Sequence, residues 1–238
     1  MLHLQNKANL LFIVLICIWT SGFDALVAQD KDTLEKLEDS KEIFQEILEI
    51  SEKGIPPAMM KKTGGVMIVP NMYKAGFVIG GRRGKGIAMI QDENGQWSQP
   101  AFVTLTGGSF GLQLGVQKID LILVFRDAES LREIGKTDFT LGGDISVAAG
   151  PVGRQSSAAT NFTFDSAVYS YSKTKGVFAG VSLDGTLVEV DSKSNRRFYE
   201  VEEISAQEIF DLNGNRHQLV SEIHQLLEKS KELSEEGN

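Results

Sequence analysis

Leu34, Leu37, Phe44, Ile47 and Leu48 recur at three- and four-residue spacing, with Glu, Lys and Asp on the opposite face. That period predicts an amphipathic helix over residues 33–50, ended by Gly54 and Pro56-Pro57. From Gly64-Gly65 to about Leu187 the signals become those of strands. Val66, Ile68, Phe77 and Ile79 alternate with their neighbours in two apolar runs that flank Pro70-Asn71. Trp97, Phe102, Val103 and Leu105 predict a further strand, and the unbroken run from Leu121 to Phe125 suits a central one. Asn94-Gly95 and Asp184-Gly185 are hairpin-turn dipeptides. One helix interrupts the strands, with Asp127 as its N-cap, Leu131 and Ile134 facing inward and Gly135 closing it. Alternation resumes through Phe139, Leu141, Ile145 and Val147, then Phe162, Phe164 and Val168. Leu219, Ile223, Leu226 and Leu227 form the apolar stripe of a C-terminal helix.

Six glycines (Gly76, Gly111, Gly115, Gly142, Gly143 and Gly180) fall inside the strand segments. In strand interiors glycine marks bulges, bends or close backbone approach. The predicted fold is therefore α+β: a curved antiparallel sheet, open or barrel-like, with amphipathic helices at the N- and C-terminal ends. No linker or repeat divides residues 29–238, which read as one domain.

The first 28 residues read as a secretory signal. Lys7 precedes an apolar stretch from Leu10 to Trp19, too short to cross a bilayer comfortably. Cleavage after Ala28 would remove Cys17, the only cysteine, and leave no thiol or disulfide. Retention of the leader as an anchor is the alternative. The expected location is periplasmic or extracellular, peripherally attached to a membrane. The formal charge of −8 is unchanged by cleavage, because Lys7 and Asp24 cancel. So acidic a chain is not a general nucleic-acid binder, and its attraction to anionic lipid must be local.

The local candidate is Gly80 to Gly86, where Arg82, Arg83 and Lys85 sit among four glycines. A glycine-rich turn rimmed by cations suits a lipid headgroup or another anion; a solvated hairpin tip is the alternative. Lys61, Lys62 and Lys74 complete the candidate lipid-binding set. Each cation at an anionic surface contributes about 1 kcal/mol. Lys61, Lys62, Arg82, Arg83 and Lys85 acting together would thus give a dissociation constant of roughly 0.1–1 mM.

Bond-making chemistry finds less support. Gly107 to Gly111 satisfies G-x-S-x-G, and Ser109, then Asp144 or Asp165, then His217 stand in hydrolase order. A nucleophile elbow needs a helix after the serine, whereas Leu112, Leu114 and Val116 continue a strand pattern. His217 and His224 are expected to be solvated on the last helix. Gly80 to Lys85 is one residue short of a phosphate-binding loop. Two histidines without cysteine argue against zinc. No catalytic residue, metal or cofactor is assigned.

Five ordered blocks carry a family resemblance: NMYKAGFVIGGRRGKG, WSQPAFVTLTGGSFGLQLG, FTLGGDISVAAGPVGR, YSKTKGVFAGVSLDG and SNRRFYEVEEISAQEIF. From Leu34 to Leu233 the chain resembles the SYLF-domain family. The resemblance implies a non-enzymatic domain that binds phospholipid or phosphoinositide-like headgroups, with an N-terminal amphipathic helix and basic residues at the bilayer. It also implies actin patches in eukaryotic relatives, although an exported location argues against actin here. The matching helix has a mostly acidic polar face, including Glu35, Glu38, Asp39, Glu42, Glu46 and Glu49. The alternative is therefore a structural or interaction module of the envelope, binding a basic envelope protein or self-associating through the Leu34–Ile50 helix. A hydrolase using Ser109 is a third reading.

Overall fold

Two long strands carry the structure. In the computed structural model β1 spans Gly65–Ile90 and β2 spans Ala101–Phe125. They pair antiparallel from Gly65 opposite Phe125 to Ala88 opposite Ala101, around a turn at Asn94 and Gly95. The residues described are 32–47, 54–135, 138–152, 165–174, 177–212, 214 and 217–232, with backbone alone for 77–79 and 109–115. The leader, Phe162 and Phe164 lie outside them. Residues up to Glu35 form a unit separate from Lys36–Asn238, and the architecture below is that of the larger unit.

At about 3.3 Å per residue a straight β1 would exceed 80 Å, so the ribbon has to turn. Its first irregularity falls between Val69 and Met72, where Pro70 and Asn71 form a bulge and Asn71 has φ 50°. Proline is tolerated there because a bulge frees it from the ladder. The second falls between Gly76, opposite Gly115, and Val78, opposite Gly111. Three residues of β2 then face one of β1, and the ribbon folds over.

Folding over brings the end of β1 back to its beginning. The Gln91 N–H donates to the Gly64 carbonyl at 2.7 Å, while the Gly64 N–H donates to Phe125 O at 2.9 Å. A Cβ on Gly84 would lie 2.7 Å from Val69 Cγ1, and one on Gly86 2.8 Å from Val69 Cα. Glycine is needed at both because two stretches of one strand touch there. Between the layers, Met67, Val69, Met72, Ala88, Ile90, Val103, Leu105, Leu121, Leu123 and Phe125 form the buried core.

The other edge of β2 is shared. Its start pairs with β7 (Thr186–Val190), Val103 to Gly107, and its end with β5 (Val168–Thr174), Asp120 to Phe125. β3 (Phe139–Leu141) extends β7, while β4 (Val147–Ala149) and β6 (Val177–Gly180) flank β5. β4 runs parallel to β5. The expected strongly curved α+β fold forms, with this parallel pair making the sheet mixed.

Helix α1 covers residues 32–47 and buries Leu37, Ile43, Phe44 and Ile47. Lys41 joins Glu38 of α1 at 2.6 Å to Glu222 of the C-terminal helix at 3.0 Å, and Glu46 pairs with Lys173 of β5. α2 (Pro57–Lys61) is a short turn with proline at its start, and it packs on the C-terminal helix. α3 (Ala128–Arg132) begins at Asp127, whose side chain accepts from Ser130 N at 2.7 Å, and a 3-10 turn to Gly135 ends it.

Two helices had no periodic signal: α4 (Ser192–Phe198) and α5 (Ala206–Phe210). Both are set by capping. Asp191 accepts from Ser194 N, and Ser205 and Glu208 form a reciprocal capping box. Asn195 of α4 is fully buried and clamps the Phe102 backbone, accepting from its N–H at 2.7 Å and donating to its carbonyl at 3.3 Å. The last helix, α6 (Gln218–Glu232), buries Val220, Ile223, Leu227 and Ser230. Leu219 and Leu226 are only half-buried, so the inner face is rotated slightly from the expected stripe.

Candidate functional site

Arg82, Arg83 and Lys85 are not on a turn. They lie inside β1, opposite Gly107, Thr106 and Thr104 of β2. The glycines between them serve the fold-over, which is the physical reason a turn-like composition sits in a strand. Alternation sends Arg82 and Arg83 to opposite faces.

Arg82 crosses over Gly107, where a Cβ would meet its Nε at 3.0 Å, and donates to the carbonyls of Ser182 and Asp184, each at 3.1 Å. Burial lowers the tendency of this guanidinium to stay charged, and nearby Asp184 opposes that effect. Lys85 pairs with Asp191 at 2.6 Å. Burial of Asp191 opposes its ionisation. That effect is outweighed by Lys85 and by the N–H and hydroxyl of Ser194, which hold its carboxyl below the usual range. Arg82 and Lys85 therefore fasten the strand to the β7 and α4 side. Arg83 is exposed.

The other basic candidates lie elsewhere. Lys61 and Lys62 are exposed at the end of α2, and Lys62 borders a small crevice with Val124, Arg126 and Tyr169. That crevice is at the end where β1 starts and β2 finishes. Lys74 is half-buried near the bend, opposite Gln117. The structure thus separates the six expected cations into three places.

What the bend does bring together was not expected. Tyr73 faces Lys118 and Ala75 faces Val116 across the β1–β2 ladder, all four on one exposed face. Tyr73 is 51% and Val116 69% exposed. Lys118 Nζ stands 5.3 Å from the Tyr73 ring centre, in cation–π contact. Val177, 68% exposed, borders the same end from β6. The register places it there: Lys173 lies opposite Asp120, so Thr174 and its partner Val177 come level with Ile119. Tyr73, Val116 and Lys118 share one face at the folded end of the sheet, while Lys74 and Val177 belong to the opposite one. The signal missed in the sequence was Val116-Gln117-Lys118, because its partner Tyr73 is 45 residues away and only the register joins them.

Ser109 lies within β2, opposite Gly80, and the strand continues to Phe125. The strand–turn–helix of a nucleophile elbow does not form. Asp144 accepts from Thr140 N at 2.7 Å within its own turn. His224 is not solvated as expected: it is half-buried, its Nε2 2.9 Å from the Ser98 carbonyl. Among the described residues no cluster of His, Cys, Asp and Glu could hold a metal ion. No described helix is long and apolar enough to cross a membrane.

The geometry is that of a folded-over β-ribbon with an exposed aromatic, apolar and basic face at its bend, and the comparisons give the family to which such a fold belongs. The family model described as Ysc84, Las17-binding protein actin regulator, matches residues 106–232, more than half of the chain. The chain belongs to this Ysc84/SYLF family.

It is 37% identical over 152 residues to Protein YSC84 of Saccharomyces cerevisiae, covering 63% of this chain and 32% of that protein. With SH3 domain-containing YSC84-like protein 1 it shares 32% identity over 185 residues for Xenopus laevis, covering 77% of this chain and 55% of that one. For Homo sapiens the figures are 31% over 199 residues, 81% and 58%. The chain therefore spans from about a third to somewhat over half the length of these relatives.

Proposed function

We propose that this protein is a non-enzymatic domain that attaches to phospholipid surfaces by the bend end of its β-ribbon. The observation that carries the reading is the exposed set Tyr73, Val116 and Lys118 on one face of the bend end. Tyrosine suits a membrane interface because its ring is apolar and its hydroxyl polar. Lysine can lay its stem on apolar surface and keep its charge at the headgroups. Lys118 would contribute about 1 kcal/mol at an anionic surface, and Val116, once inserted, about 1.5–3 kcal/mol. Arg82 and Lys85 add little, being engaged within the domain. The apolar face of α1 is buried, so surface binding in this conformation does not use it.

The leader-like residues 1–28 extend the proposal to an exported protein acting at an envelope membrane, periplasmic or extracellular. Las17 binding and actin regulation, named in the family's description, would require a compartment that holds those partners. A basic protein partner on α1 is less favoured, since Glu38 and Glu46 already pair with Lys41 and Lys173.

Vesicle co-sedimentation tests the reading, with anionic and zwitterionic vesicles at low and physiological salt. Val116→Asp is expected to weaken binding by about 10-fold or more, the value of one inserted valine. Lys118→Glu is expected to weaken it on anionic vesicles alone. Binding that both variants leave unchanged, or no binding by the parent chain, would refute the proposal.

A further inference from the structure

Folding the ribbon in half puts its turn, at Asn94-Gly95, and its open end, at Gly64 and Phe125, together at the end away from the bend. Half of β1 separates the two ends by about 40 Å at 3.3 Å per residue. At the far end a cleft of about 380 Å³ opens. Its walls come from four places: the turn segment with Trp97, Ser98 and Gln99; Arg132 of α3; Phe210 and Leu212; and His224 and Glu228 of α6. That volume is within the range of small-molecule sites.

Two buried polar atoms of its lining residues have no hydrogen-bond partner among the described residues. Trp97 Nε1 and Gln99 Oε1 are unpaired, and their residues are only 8% and 1% exposed. Most buried polar atoms are satisfied, and each exception requires an explanation. The surrounding groups are already committed. Arg132 donates to Asp211 Oδ1 at 2.9 Å, Gln99 Nε2 donates to Gly214 O, and His224 Nε2 lies against Ser98 O. Burial pushes the His224 imidazole below its usual pKa despite the Ser98 carbonyl and Glu228, so the imidazole itself is uncharged near neutrality. Lys231 Nζ covers Trp97 at 4.9 Å from the ring centre. The charges around the cleft are partnered, Arg132 by Asp211, Glu228 by Lys231 and Asp92 by the N–H groups of Asn94 and Gln96, so the lining favours neither an anion nor a cation.

We infer that this cleft is a binding site for a small uncharged molecule carrying an amide or lactam group. The amide carbonyl accepts from the Trp97 indole N–H, and the amide N–H donates to the Gln99 carbonyl. Trp97, Ile90, Phe210 and Leu212 supply apolar contact for the remainder of the molecule. Entry requires a small displacement of the turn segment, because both unpaired atoms are closed to solvent. The site faces away from the bend, so a domain attached to a membrane by that end still offers it to the surrounding solution.

The test follows the Trp97 indole N–H by ¹⁵N NMR of the full chain, its resonance assigned by its loss in Trp97→Phe. The probes are 2-pyrrolidinone and N-methylacetamide, with sodium acetate and guanidinium as charged controls. A saturable downfield shift with either amide, absent with the controls, is the expected result. Gln99→Leu, similar in size but without the acceptor, should weaken the apparent affinity about 10-fold or more. Should Gln99→Leu not fold, Phe210→Ala, which removes apolar contact alone, should weaken the affinity of 2-pyrrolidinone by at least 3-fold. Shifts that stay linear in probe concentration, or that the charged controls reproduce, would overturn the inference. So would an indole resonance that no probe moves.

Discussion

Gly86 offers the sharpest test of the fold-over. A Cβ there would stand 2.8 Å from Val69 Cα and closer still to the Ile68 carbonyl oxygen, inside the 3.4 Å at which ordinary contact begins. Both obstacles are backbone in a fully buried strand, so no rotamer change relieves them. Overpacking typically costs about 1–3 kcal/mol, and Gly86→Ala should reach or exceed the top of that range. For a chain of this size 3 kcal/mol is about 6–12 °C in melting temperature. Gly84→Ala should cost less, because its obstacles are the side chains of Val69 and Met72. Gly81→Ala is the control on the same strand, its nearest neighbour being Gly107 O at 4.0 Å. Alanine in place of a strand glycine gains about 0.5–1 kcal/mol when space allows, so this variant should melt at or above the parent. Urea and thermal denaturation followed by circular dichroism would rank the three. Equal stability of Gly86→Ala and Gly81→Ala would refute the packing argument and return these glycines to a ligand-loop role.

Other expectations are read the same way. Asn195→Ala should cost about 2–3 kcal/mol, because it strands the buried Phe102 N–H; a urea midpoint within error of the parent would contradict the clamp. Lys85→Met should cost about 1 kcal/mol at pH 7, since Lys85 is partly exposed. Asp191, whose folded pKa is lowered, contributes stability above about pH 4 that is lost as pH falls through that folded value. The difference between Lys85→Met and the parent should accordingly shrink between pH 4 and pH 2, which urea titrations at each pH would measure. His224 also has a lowered folded pKa, so the stability linked to its neutral ring is complete above about pH 6.5 and declines below it. His224→Gln should flatten the loss of stability between pH 6.5 and pH 5, and a slope unchanged from the parent would contradict the assignment.

Much of the fold could be read from the sequence where one local rule decides the outcome. The α3 cap at Asp127, the hairpin turn at Asn94-Gly95 and the central run Leu121 to Phe125 formed as expected. Asp184-Gly185, by contrast, is a turn between β6 and β7, which pair with other strands and make no hairpin. Reading failed where distant residues decide. Arg82, Arg83 and Lys85 among glycines resemble a turn, yet those glycines answer to Ile68, Val69 and Met72 more than ten residues earlier. The short helices α4 and α5 have too few residues to display a period, so only their caps could have indicated them. His224 looks like a surface residue on its own helix, and the turn at Ser98 that covers it comes from 126 residues away. The exposed set at the bend was hidden for the same reason, since pairing rather than proximity in the chain assembles it.

The family match starts at residue 106, partway along β2, and leaves out all of β1. Alternate residues of β2 from Thr106 onward, those whose N–H and C=O groups turn toward β1, would present bare amides and carbonyls to solvent in a polypeptide excised at that boundary. Such an edge is a template for intermolecular strand addition, and the excised piece should precipitate. The shortest soluble piece is set by hydrogen-bond partnership and must begin upstream of Gly64.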